Sequence, residues 1–183
     1  MAGEVENSLV LITGGCRSGK SDFAQQLAEA TPGPRLFIAT CPCLDAEMEQ
    51  RIRQHQLARQ NRGWQSVEEE IRPGRIIAGA RAGTTILLDC LTLWIANLLH
   101  AAEQEKRSLT EAVLIPLCED LASTALNHDG LVIMVSGEVG LGIVPEHPQA
   151  RIYRDLAGRC NRIMAAHASQ VFFMSCGLPL QLK

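Results

Sequence analysis

Residues 14–21 read Gly14-Gly15-Cys16-Arg17-Ser18-Gly19-Lys20-Ser21 and satisfy the pattern G-x-x-x-x-G-K-[ST]. Gly14 and Gly19 let the backbone curl until successive N–H groups face one point, and a helix beginning just beyond them aims its positive end at the same place. Lys20 then reaches the β- and γ-phosphates of a nucleotide, while Ser21 offers a hydroxyl to Mg2+. Asp89 closes the apolar run TILLD and is a partner for that metal or for its water. Phosphoryl or nucleotidyl transfer is the chemistry such a loop serves. By itself it does not say whether the nucleotide is hydrolysed, transferred or sensed.

A second set of residues lies on a helix expected over residues 44–60, where Glu47, Arg51, His55 and Arg59 recur every four positions and share one face. An imidazole held between two guanidinium groups tends to stay neutral, and a neutral imidazole is a competent nucleophile. The same arginines suit polyphosphate oxygens. Spacing alone, however, favours a solvated face with a Glu47–Arg51 ion pair and an idle histidine. His100, His128, His147 and His167 fall at expected helix ends or loops and read as surface residues.

The stretch from Ser136 to Pro145, SGEVGLGIVP, is a glycine-rich loop leaving the carboxyl end of an expected strand, the edge at which open α/β sheets bind ligands. Function and plain connection account for it equally well. Glu68, which closes W-Q-S-V-E, reads either as a ribose or base contact or as a charged strand end.

Five apolar runs position these groups: 9–13, 36–40, 85–89, 131–136 and 171–175, each nearly continuous instead of alternating. Such runs suit strands buried on both faces. Segments with helical spacing separate them, so the fold class is α/β, a mostly parallel sheet with helices on both faces. Expected helices cover 22–30, 91–102, 112–126 and 148 to about 166. Ser108 and Glu111 form an S-x-x-E capping box before the third, and Pro148 stands in the first turn of the fourth. Residues 103–110 are polar and read as a loop. Gly177-Leu178-Pro179 reads as a turn into a short strand over 180–182, which makes a terminal hairpin. Trp94, Ile95, Leu98 and Leu99 belong either to the core or to a subunit contact. Residues 1–183 are read as a single nucleotide-binding domain.

Charge and cysteine content narrow the class. Seventeen Lys and Arg against twenty Asp and Glu give a net charge of −3, which disfavours a general nucleic-acid binder. No basic leader precedes an apolar segment, and no stretch approaches the roughly 20 apolar residues that span a bilayer. A cytoplasmic protein is expected. Seven cysteines, Cys16, Cys41, Cys43, Cys90, Cys118, Cys160 and Cys176, form no spaced framework and read as reduced thiols of a core. The C-P-C pair at Cys41 and Cys43 has no second pair or nearby histidine to complete a zinc site.

Taken together, ITGGCRSGKS, FIATC, the D-x-E-M-x-x-R-I-x-x-H segment from Asp45 to His55, GW-x-x-VE, LLDCLTLWIANLL, EVGLGIVP and the closing GLPLQLK resemble the bifunctional adenosylcobinamide kinase / adenosylcobinamide-phosphate guanylyltransferase family of cobalamin biosynthesis. The resemblance spans nearly the whole chain in order. It implies a RecA-like P-loop domain that assembles as a homotrimer, phosphorylates adenosylcobinamide, and transfers GMP from GTP to adenosylcobinamide phosphate through a guanylyl-histidine. GTP, ATP as a possible kinase donor, and Mg2+ are the implied ligands. It further implies that His55 is the guanylylated residue, and that the nucleotide site comprises Gly14–Ser21, Ala39, Thr40, Cys41, Gln56, Leu57, Ala58, Arg59, Glu68 and Asp89, with Ser21 and Asp89 on the metal. The family usually reads S-N-E-V-G where this chain has Ser136-Gly137-Glu138-Val139-Gly140. Two alternatives stand beside it: another P-loop kinase of a small metabolite, and a nucleotide-dependent switch without catalysis.

Overall fold

Each apolar run becomes a strand because neighbours cover it on both sides and on both faces. The computed structural model describes residues 8–41, 59–60 and 62–183. Within them the order is β1 (Ser8–Gly14), α1 (Lys20–Ala30), β2 (Arg35–Ala39), β3 (Trp64–Glu68), α2 (Pro73–Ala78), β4 (Thr85–Asp89), α3 (Leu91–Gln104), α4 (Glu111–Leu126), β5 (Leu131–Val135), α5 (Pro148–His167), β6 (Gln170–Ser175) and β7 (Leu178–Gln181). The strands form one sheet in the order β3-β2-β4-β5-β1-β6-β7. All neighbouring pairs are parallel except the β6–β7 hairpin. The expected α/β class, with a mostly parallel sheet and a terminal hairpin, is observed.

Side chains alternate across each strand, and this divides the core into two layers. Leu9 and Leu11 of β1 join Ile38, Ile86, Leu88, Val132 and Met134 under α3, α4 and α5. Val10 and Ile12 join Phe37, Leu87, Ile133 and Val135 under α1, which contributes Ala24 and Ala28. Fully burying one such leucine or isoleucine contributes about 1.5–3 kcal/mol, so the two layers hold the sheet from either side. Trp94 and Ile95 of α3 lie in the first layer, with the Trp94 indole N–H donating to the Ile71 carbonyl at 2.9 Å. Leu98 and Leu99 pack against the same layer, partly buried.

Several sequence expectations are corrected. The capping box does not form: α4 begins at Glu111 with Thr110 before it and no side-chain cap. Leu109 is buried in the core, which keeps residues 108–110 outside the helix. α3 runs on to Gln104, shortening the expected loop. The hairpin strand begins at Leu178, ahead of the expected 180, and Pro179 is accommodated because β7 is an edge strand. His128 is buried instead of lying on the surface. Its Nε2 sits 2.7 Å from the Thr84 carbonyl, so that nitrogen carries the hydrogen. Of the cysteines, Cys118 and Cys160 are core residues, whereas Cys16 and Cys176 are exposed. Most of the helix expected over 44–60 lies outside the described residues.

Candidate active site

The registers bring the carboxyl ends of the parallel strands level. Ala39 pairs with both Glu68 and Asp89, Asp89 with Val135, and Val135 with Ile12, two residues before Gly14. Glu68, Ala39, Asp89 and the loop after β1 therefore share the edge where such sheets bind ligands. One strand, β5, separates the strand that carries Asp89 from the strand that feeds the glycine loop. With a spacing of about 4.8 Å between strands, their axes stand roughly 10 Å apart, room for a phosphate and a hydrated cation.

The glycine loop is shaped by close backbone approaches. Gly14 has φ +147°, and a Cβ there would lie 2.5 Å from the Met174 carbonyl oxygen and 2.8 Å from Ser18 Oγ. Gly19, with φ +91°, caps α1 in the left-handed region, and a Cβ there would meet Gly177 Cα at 3.2 Å. Only glycine fits both places. Gly177 N–H donates to the Ser18 carbonyl at 3.1 Å, tying the loop to the β6–β7 turn. No side chain caps α1, so its first N–H groups face the loop for an incoming anion. Lys20 Nζ donates to the Gly15 carbonyl at 2.6 Å, which places the ammonium over the loop. Ser18 Oγ is buried without a hydrogen-bond partner among the described residues, a polar atom inside the same cradle.

Two clamps fix the Asp89 side of the edge. Thr40 Oγ1 accepts the Cys90 N–H at 2.8 Å and donates to the Cys90 carbonyl at 2.7 Å, binding the end of β2 to the residue after Asp89. Asn97 of α3 donates through Nδ2 to the Thr40 carbonyl at 2.8 Å and to the Glu70 carbonyl at 3.1 Å. Burial pushes the Cys90 thiol up to about 11, and the negative charge of Asp89 adds to the effect, so this thiol stays protonated and inert as a nucleophile. Arg59 is buried with its guanidinium carbon 3.5 Å from the centre of the Phe37 ring. Burial lowers its pKa and the nearby Asp89 charge opposes that, so it stays a cation beside the carboxylate.

The sequence-assigned residues Gly14–Ser21, Ala39, Thr40, Cys41, Arg59, Glu68 and Asp89 thus gather at one edge, with the Glu68 side chain exposed. His55, Gln56, Leu57 and Ala58 lie outside the described residues. The hydroxyl of Ser21 and the carboxylate of Asp89 are hard oxygen donors of the kind Mg2+ takes, and the glycine cradle beside them fits the phosphates such an ion accompanies. A cavity of about 670 Å3 lies elsewhere, between α3 and α5, lined by His100, Lys106, Arg107, His147 and Tyr153 and by none of these residues.

Sequence reasoning overlooked Asn161. It sits in α5, 8% exposed, accepting from Ser136 Oγ at 2.5 Å and donating at 3.2 Å to both the Gly137 carbonyl and Glu138 Oε2. Thr92 completes the support, its Oγ1 accepting the Gly137 N–H at 3.3 Å. An asparagine on the apolar stripe of a helix was the available signal.

The family described as cobinamide kinase / cobinamide phosphate guanyltransferase matches residues 10–182. The chain belongs to this family. Relatives agree along almost the full length. A bifunctional adenosylcobalamin biosynthesis protein CobP from Pseudomonas aeruginosa is 37% identical over 174 residues, covering 94% of this chain and 96% of the relative. The bifunctional adenosylcobalamin biosynthesis protein CobU from Escherichia coli is 34% identical and that from Salmonella typhimurium 36%, each covering 96% of this chain and 99% of its own. The flagellar accessory protein FlaH from Methanocaldococcus jannaschii shares the fold at a TM-score of 0.51 and 15% identity, over 93% of this chain and 72% of its own. Membership of the cobinamide kinase / guanyltransferase family decides for an enzyme over a switch, and for the kinase and nucleotidyltransferase of adenosylcobalamin biosynthesis over an unrelated P-loop kinase.

Proposed function

We propose that the chain phosphorylates adenosylcobinamide and then transfers GMP from GTP to adenosylcobinamide phosphate, with His55 as the group that carries the guanylyl unit. The observation that supports this most directly is the meeting of the Gly14–Ser21 cradle with Asp89 at one sheet edge, in a chain of this family. In the transfer, the neutral imidazole of His55 attacks the α-phosphorus of GTP, a P–N bond forms, and pyrophosphate leaves with the electrons of the broken P–O bond. A phosphate oxygen of the substrate next displaces the imidazole, giving adenosylcobinamide-GDP. Lys20, the α1 N-terminus and Arg59 supply the positive field in which charge builds on the leaving group. Ser21 and Asp89 would hold Mg2+, which screens the polyphosphate charge. Gly14, Gly15, Cys16, Arg17, Ser18 and Gly19 wrap the phosphates, while Ala39, Thr40, Cys41, Gln56, Leu57, Ala58 and Glu68 complete the nucleotide site.

In this reading residues 1–183 work as one nucleotide-binding domain in the cytoplasm, ATP or GTP donates in the kinase step, and the assembly is a homotrimer. No helix among the described residues is long and apolar enough to cross a membrane. Leu178, Leu180 and Leu182 at the hairpin, and Leu141, Ile143 and Val144 in the loop before α5, stand exposed, apolar surface that association would cover. The deciding experiment exposes the protein to α-labelled GTP. An acid-labile, base-stable label on the wild type and none on His55→Ala is expected; a label kept by the variant removes His55 from its role.

A further inference from the structure

We propose that the Glu138 carboxylate is the base that takes the proton from the substrate hydroxyl in the kinase step, and that Asn161 is the positioning residue that holds it there. This role rests on the kinase half of the function proposed above. Glu138 follows β5, the strand between β1, which feeds the phosphate cradle, and β4, which ends in Asp89. Its own N–H donates to the Gly14 carbonyl at 2.9 Å, so its backbone is fastened to the first residue of the cradle, on the Asp89 side. Asp89 shares its electrostatic surroundings with Arg59, and Glu68 is on β3, three strands out from β5, beyond β4 and β2.

The support beneath Glu138 is built for orientation. Asn161 is more than nine-tenths buried, and its amide spans three consecutive residues: it accepts from Ser136 Oγ and donates to the Gly137 carbonyl and to Glu138 Oε2. Ser136 is itself wholly buried, with its N–H donating to the Ile12 carbonyl at 2.9 Å. Glu138 therefore presents one carboxylate oxygen to Asn161, and Oε1 has no hydrogen bond among the described residues. At position 137 a Cβ would lie 3.1 Å from Thr92 Cγ2, so a larger residue there would ask Thr92 to give by a few tenths of an ångström.

The step balances. The hydroxyl oxygen of the substrate forms a bond to the γ-phosphorus as the bond from that phosphorus to the β–γ bridging oxygen breaks. The nucleoside diphosphate leaves with the electron pair, and the hydroxyl proton passes to Glu138 Oε1. The guanylyl step starts from a substrate phosphate that carries no such proton, so it does not need this base.

The test compares two readouts on the full-length chain: γ-label moving from ATP or GTP to adenosylcobinamide, and α-label from GTP bound to the protein. In Glu138→Gln, kcat for γ-transfer is expected to fall about 100-fold or more, the scale of a lost general base, while α-labelling changes less than threefold. Asn161→Ala is expected to lower γ-transfer about 10-fold in kcat with KM little moved, and to add nothing on top of Glu138→Gln. A Glu138→Gln enzyme within threefold of wild type in γ-transfer overturns the role, as does a parallel loss of both labels. An additive double variant overturns the assignment of Asn161. Wild type that labels with α-GTP but moves no γ-label refutes the kinase reading itself, and the base with it.

Discussion

Thr40 and Cys90 are joined by a reciprocal pair of hydrogen bonds, in which one hydroxyl serves both backbone polar groups of the residue that follows Asp89, at 2.8 and 2.7 Å. Thr40 is fully buried, so removing its hydroxyl strands the Cys90 N–H, while the Cys90 carbonyl keeps its bond from the Trp94 N–H at 3.1 Å. Thr40→Val is expected to cost about 1–3 kcal/mol, and Thr40→Ser to recover most of it. Urea unfolding checks this as a shift in midpoint with an unchanged slope.

The cradle glycines differ in what they tolerate. Gly14→Ala drives a methyl into the Met174 carbonyl and takes a positive φ, whereas a Cβ on Gly15 meets nothing within 4 Å. Gly14→Ala is expected to lower the melting temperature by several degrees and to weaken GTP binding at least 10-fold. Gly15→Ala is expected to melt with the wild type. Thermal melts and titration with a fluorescent GTP analogue separate the two.

Arg59 holds its guanidinium carbon 3.5 Å from the centre of the Phe37 ring, a contact that the smaller, more strongly hydrated ammonium of lysine does not reproduce. Arg59→Lys is expected to lower stability by about 1 kcal/mol and to weaken GTP binding. A double-mutant cycle with Phe37→Leu is expected to return a coupling of at least about 0.5 kcal/mol. Zero coupling would show the stacking to be without energetic content.

The carboxylate of Glu69 accepts the backbone N–H groups of Arg72 at 2.8 Å and Ile71 at 3.0 Å, starting the turn into α2. These bonds, that from Arg72 foremost, outweigh burial and hold its pKa below the ordinary 4.5. A carboxyl depressed in the folded state stabilises fully above its unfolded value, and that contribution is lost as pH falls through the folded value. Glu69→Gln is therefore expected to melt below wild type at pH 7, with the gap closing below about pH 4.5.

How much was legible in the sequence divides along the range of the interactions. β4 was readable to its ends because four consecutive buried residues, Thr85 to Leu88, leave no competing period, and the phosphate cradle because its glycines, lysine and serine stand at fixed spacing in one contiguous stretch. β3 was harder: an edge strand with Gln65, Ser66 and Glu68 exposed shows no apolar run. The Ser108–Glu111 box failed because burial of Leu109, a tertiary event, overrode a local signal. Asn161 and Glu138 are 23 residues apart, and nothing in either neighbourhood announces that they meet. His128 escaped for the same reason, since its partner Thr84 is 44 residues away.

The bond from Gly177 to Ser18, and the packing of Met174 under Gly14, make the terminal hairpin a buttress for the phosphate cradle. Among the described residues, β7 leaves its outer rim unpaired and Leu178, Leu180 and the adjacent Leu182 in the open. Anything that grips that rim gains a lever on the nucleotide end of the molecule, because a single turn of chain joins the hairpin to the phosphate cradle.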